Sequence, residues 1–125
     1  ELKVTLVEPR LKRVSFLRHI VRTLELQNIT VVECRAEDAE KLPADGGFTH
    51  ITSRAVSDIK LFLLMCSRFA QPELKVICMK GQNWKEELDL YLASGVKQVF
   101  RLSTAREYIL PESNSVRNVM VFDSI

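Results

Sequence analysis

The hydrophobic positions fall into two rhythms that alternate along the chain. Leu2, Val4 and Leu6 recur at every second residue, with Val7 adding apolar bulk on the other face, and this predicts a buried strand that ends on Glu8. From Leu11 the spacing changes. Val14, Leu17, Ile20, Val21 and Leu24 form one stripe at helical period, which predicts a helix over Leu11 to Leu26, with Pro9 just before it and Asn28 as its end. Ile29 to Cys34 is a second apolar strand, and it runs into Arg35, Ala36, Glu37 and Asp38. A short helical turn over Ala39 to Leu42 is stopped by Pro43, and Asp45, Gly46 and Gly47 make a turn.

The alternation continues. Phe48 to Thr52 is a third strand, diluted by Thr49, His50 and Thr52, and it leads into Ser53 and Arg54. Asp58 to Phe69 reads as a helix closed by Pro72. Lys75 to Met79 is a fourth strand that ends at Lys80 and Gly81. Trp84 to Ala93 is an amphipathic helix with Ser94 and Gly95 as its stop signal. Lys97 to Leu102 is a fifth strand, Thr104 to Ser115 a long turn, and Val116 to Phe122 a sixth strand. Strand–helix units of this length predict an α/β fold with a mostly parallel sheet. The last two strands, joined by a turn and not by a crossover helix, must be antiparallel.

Composition narrows the picture only a little. The chain has 125 residues, enough for one domain, and 46% of them are apolar, which argues against wholesale disorder. Its 18 basic and 16 acidic residues leave a net charge of +2, so any basic site is local. The longest apolar stretch, Ile59 to Met65, is broken by Lys60 and too short for a bilayer. No signal peptide is expected where a strand follows directly on Glu1. Cys34, Cys66 and Cys78 lack metal-ligand spacing and sit in apolar elements, so buried free thiols in a reducing compartment are expected. His19 and His50 are isolated and read as structural, and no metal site is expected.

A parallel sheet that closes in an antiparallel pair is the mark of the class I methyltransferase variant of the Rossmann fold. The segments Lys12 to Leu17 (KRVSFL), Cys34 to Asp38 (CRAED), Ile51 to Val56 (ITSRAV), Met79 to Gly81 (MKG) and Val116 to Phe122 (VRNVMVF) occur in an order and spacing that resemble the RsmG (GidB) family. The resemblance covers nearly the whole chain. It implies a bacterial enzyme that uses S-adenosyl-L-methionine to methylate N7 of one guanine, guanine 527, in 16S ribosomal RNA of the small ribosomal subunit. It further implies a monomer in the cytoplasm that is not attached to a membrane. The chain departs from the family in one respect. Its glycines are Gly46, Gly47, Gly81 and Gly95, so the glycine-rich loop that lies against the cofactor's methionine part is not among these residues. The resemblance therefore implies a partial domain, from the second strand to the C-terminus. Such a piece has its sheet divided into two half-sheets with unpaired edges, and alone it is expected to be inactive.

Residue by residue, the resemblance gives Glu8 the two ribose hydroxyls of the cofactor, against an ordinary acid at a strand end. Ala36 and Glu37 would lie beside the adenine, against a cluster that favours a helix dipole. Arg54 would orient cofactor or phosphate, against an arginine paired with Glu37 or Asp58. Lys12, Arg13, Lys80 and Arg117 are candidate RNA contacts, against plain surface cations, and Gly81 is expected to permit a sharp turn near the substrate. No catalytic base is expected, because guanine N7 carries a free lone pair. Two other readings compete: a class I methyltransferase with a different substrate, and a degenerate domain that binds RNA or protein without catalysis. A nicotinamide-dependent Rossmann protein is a third, weakened by the same missing fingerprint loop.

Overall fold

A computed structural model describes residues 1–42, 47–54 and 57–125. Pro43, the expected stop of the short helical turn, Asp45 and Gly46 of the predicted turn, and Ala55 and Val56 of the ITSRAV segment lie outside the described residues. The chain divides into two compact units, residues 1–45 and 46–125.

The first unit contains β1 (Val4–Glu8), α1 (Leu11–Thr23) and β2 (Ile29–Glu33), followed by a 3-10 turn at Ala39–Lys41. β1 and β2 are parallel, with Val4 opposite Ile29 and Glu8 opposite Glu33. Val14 on α1 is fully buried, and Leu17, Ile20 and Val21 are half-buried. The helix stops earlier than its apolar stripe suggests. The Leu26 N–H bonds to the Val21 carbonyl and the Glu25 N–H to that of Arg22, which is a Schellman closure. Glu25 takes the left-handed conformation (φ 52°) that glycine usually supplies, so the sequence carries no glycine signal there.

The second unit is built from β3 (His50–Arg54), α2 (Ile59–Cys66) with a 3-10 extension Ser67–Phe69, β4 (Lys75–Lys80), α3 (Trp84–Ala93), β5 (Phe100–Ile109) and β6 (Val116–Ser124). Its sheet order is β3-β4-β6-β5, with β3 parallel to β4 and β6 antiparallel to both its neighbours. Asp58 caps α2 by accepting from the Leu61 N–H at 2.8 Å. One face of the sheet, carrying Val76, Cys78, Met120 and Phe122, packs in a buried core with Ile59, Leu63 and Tyr91 of the two helices. Among the described residues β1 and β2 form one sheet and β3 to β6 another, and both β1 and β3 have a free edge. That is the arrangement of two half-sheets expected from the sequence.

Among the boundaries that differ from the sequence reading, two bear on the site. The third strand is His50–Arg54 and not Phe48 to Thr52, so Arg54 is its last residue. The stretch from Thr104 to Ile109, expected as part of a turn, is strand. β5 has ten residues and continues past a register shift between Leu102 and Thr104. Thr104 to Ile109 are exposed throughout, so no alternating pattern marks them. Their backbone pairing to β6 holds them extended.

All three cysteines are buried and free. Burial pushes the Cys66 and Cys78 thiols up to about 12, and Cys34 is raised by burial and by Asp38. Folded Cys66 and Cys78 therefore stay protonated where the unfolded chain, with thiols near 9.0, ionises them. The unfolded state then binds fewer protons, so stability is unaffected below pH 9 and falls as pH rises through 9 towards 12. We expect a loss on the order of 1 kcal/mol per thiol per pH unit in that window, read from urea midpoints at pH 8 and pH 10. Equal midpoints would contradict it.

Candidate functional site

The first unit gathers three of the predicted residues. Because β1 and β2 are parallel and in register, Glu8 opposite Glu33, the segment from Cys34 to Glu37 leaves the sheet at the same carboxyl end as Glu8. Glu8 is half-buried. Its Oε1 accepts from the Arg10 N–H at 3.1 Å, which fixes the carboxylate at the start of α1. The first turn of that helix holds no acid of its own, so Glu8 supplies the negative charge its dipole favours. Its Oε2 takes no hydrogen bond among the described residues, leaving acceptor capacity for a ligand. Ala36 and Glu37 form a turn, with Ala36 half-buried. Asp38 faces Lys41 at 3.8 Å in an exposed pair of little energetic weight. Lys12 and Arg13 are exposed on α1. His19 and His50 are exposed, each with a local hydrogen bond, to Thr23 and Thr49.

In the second unit Arg54 ends β3, exposed, opposite Met79 of β4. It forms no ion pair among the described residues, and Asp58 is engaged as the α2 cap. Arg117 is exposed on β6, with its Nη1 donating to the Val116 carbonyl at 3.0 Å.

Lys80 is not the exposed cation that contact with RNA phosphate requires. Its Nζ lies 2.9 Å from Glu87 Oε1 and donates to the Ser57 carbonyl. Glu87 Oε1 also accepts from the Ile59 N–H at 3.0 Å. One half-buried ion pair thus ties the segment after β3 to the end of β4 and the first turn of α3. Gly81 is likewise not needed for a sharp turn: a Cβ there would meet nothing within 4 Å, and its φ is not left-handed. Its carbonyl accepts from Asn118 Nδ2 at 2.9 Å. Sequence reasoning missed Glu87, Ser57 and Asn118. Only Asn118 leaves a trace in the sequence, as a polar residue at a fully buried place in the apolar run Val116 to Phe122. Among the described residues no group of three His, Cys, Asp or Glu side chains could hold a metal ion, and no helix is long and apolar enough to cross a membrane.

Residues 1–113 match the family profile described as rRNA small subunit methyltransferase G. The chain belongs to that family. A ribosomal RNA small subunit methyltransferase G of Desulfotalea psychrophila is 47% identical over 124 residues, 97% of this chain and 56% of that protein. The protein of the same description from Pseudothermotoga lettingae is 38% identical over 90 residues, 70% of this chain and 39% of that one. The chain therefore spans about half the length of the curated relatives it matches. Among solved structures, the putative rRNA-methylase from Clostridium thermocellum superposes with a TM-score of 0.70 at 13% identity, over 98% of this chain and 73% of that one. A point mutant of MtNAS in complex with S-adenosylmethionine gives 0.63 at 16% identity, over 99% of this chain and 46% of that one. The fold is that of the class I, Rossmann-like methyltransferases.

Proposed function

We propose that the protein carrying this family chain transfers the methyl group of S-adenosyl-L-methionine to N7 of a guanine, guanine 527, in 16S ribosomal RNA. The observation that carries the reading is the shared carboxyl end of β1 and β2. There a half-buried carboxylate, Glu8, ends β1, and β2 leads from the same end into the turn at Ala36 and Glu37, in a chain whose relatives are described as small-subunit rRNA methyltransferases. A carboxylate with an oxygen still able to accept suits a vicinal diol. A small residue followed by an acid suits the edge of a purine, so the residues present fit the nucleoside part of the cofactor.

When bound, the cofactor supplies a methyl group already activated on a sulfonium. Glu8 would hold the ribose hydroxyls, and Ala36 and Glu37 the adenine. Arg54 would orient the cofactor or a phosphate through its planar fork. Guanine N7 attacks with its own lone pair, so these residues position and exclude water, and none has to remove a proton. Lys12, Arg13 and Arg117 remain candidate contacts to RNA phosphates. Lys80 drops out, since its ammonium is spent inside the protein. The same reading places the enzyme in the cytoplasm as a monomer.

The test uses the complete reading-frame product, labelled cofactor, and small-subunit RNA from cells that lack the modification. Label is expected in the RNA, and unlabelled RNA rejects the reading. Residues 1–125 expressed alone are expected neither to label the RNA nor to bind the cofactor in calorimetry, since they carry no glycine-rich loop. Tight cofactor binding by that stretch would contradict this part of the proposal.

A further inference from the structure

The β5–β6 hairpin runs past the end of β4. The last pair between β4 and β6 is Lys80 with Asn118, whereas β5 and β6 continue through Tyr108 with Arg117 and Ile109 with Val116. The hairpin therefore projects beyond the carboxyl end of β4, the side on which open α/β sheets take their ligands.

Register fixes which residues share a face there, because cross-strand partners point the same way and alternate residues do too. Met120 and Phe122 point into the core, so Arg117 and Val119 face away from it. Arg54, Met79, Val119 and Arg106 then form one row across all four strands, and Tyr108 with Arg117 forms the next row outward. Tyr108 is 41% exposed and Met79 38%, and the three arginines are exposed. Arg106 and Arg117 are diagonal neighbours, roughly 7–8 Å apart. Neither row contains an acid. Glu107 lies on the opposite face, across from Asn118, and Glu112 sits in the turn beyond. The opposite end of the same face does carry an acid, Asp123, and Lys75 neutralises it at 2.8 Å.

Within the second unit, then, the outward rows combine guanidinium groups with an accessible aromatic ring and an apolar floor. Uncompensated arginines fit a polyanion. An exposed ring fits an unpaired base, which single-stranded nucleic acid presents and a duplex hides. We propose that this face receives a single-stranded segment of the RNA substrate, with Tyr108 stacking on a base and Arg106 and Arg117 holding the flanking phosphates. The inference rests on the RNA reading above and adds to it two residues, Arg106 and Tyr108, that the sequence reading left in a turn.

The test is fluorescence titration of the complete reading-frame product with a labelled transcript of small-subunit ribosomal RNA. Tyr108→Ala is expected to weaken binding roughly tenfold, and Tyr108→Phe, which keeps the ring, to bind within about twofold of the parent. Arg106→Ala and Arg117→Ala are each expected to weaken binding. Each should also lower the salt slope of log Kd by about 0.7, the value for one phosphate contact on a single strand. Cofactor binding, measured by calorimetry, should not move in any of them. If all three alanine variants bind RNA like the parent, with the parent's salt slope, this inference fails while the RNA reading stands. If the parent itself does not bind the transcript, both fail.

Discussion

Glu87→Ala is expected to destabilise the protein by about 3 kcal/mol. The side chains of Lys80 and Glu87 are only 13% and 24% exposed, and the pair lies 2.9 Å apart. Removing the carboxylate leaves a nearly buried ammonium with a single carbonyl partner, that of Ser57. It also leaves the Ile59 N–H at the start of α2 without its acceptor. Either loss alone costs on the order of 1–3 kcal/mol, and the partial exposure of the pair keeps the total below the sum of the two. The contrast that isolates the mechanism is the double variant Lys80→Met with Glu87→Met, which removes both charges and keeps apolar volume. It should recover at least half of the lost stability, because no unpaired charge remains. Urea denaturation followed by circular dichroism measures both. A Glu87→Ala midpoint equal to that of the parent would show that the pair is not structural.

The second large effect concerns Glu8. In the proposed enzyme, Glu8→Ala is expected to raise the dissociation constant for S-adenosyl-L-methionine by roughly 10- to 100-fold, the weight of charge-assisted hydrogen bonds to two hydroxyls. Glu8→Gln keeps one acceptor oxygen and should fall between. Both variants also weaken the bond from the Arg10 N–H, so a loss of up to about 1 kcal/mol in stability accompanies the change. The two effects separate by measurement. Calorimetric titration with cofactor, at a temperature where each variant is fully folded, reads binding alone. An alanine variant that binds cofactor like the parent would leave Glu8 only its role at the start of α1.

Much of this was legible in the sequence, for reasons that differ from element to element. Most apolar positions of β1, β2 and β4 are buried or half-buried, so their apolar rhythm is strong, and α3 is bounded by Trp84 and the Ser94-Gly95 stop as expected. The end of α1 was not legible, because Glu25 adopts the left-handed closure that glycine normally announces. The outer half of β5 was hidden because both of its faces are exposed, and only pairing with β6 makes it a strand. The site divides in the same way. The position of Glu8 at the end of a clear strand can be read from the pattern, and that β2 leads towards Ala36 and Glu37 from the same end follows once β1 and β2 are parallel and in register. Lys80 was misjudged because a lysine at a strand end looks the same whether it faces solvent or a glutamate seven residues later on a helix. That pairing depends on how α3 packs, which no local pattern encodes.

The central claim is tested most directly by locating the methyl group on the RNA. After reaction with cofactor, the small-subunit RNA is reduced with borohydride and treated with aniline, which breaks the chain at N7-methylated guanine. The account predicts a single enzyme-dependent break, at one guanine. Transfer of label to the RNA with no such break, or breaks spread over many guanines, would contradict it.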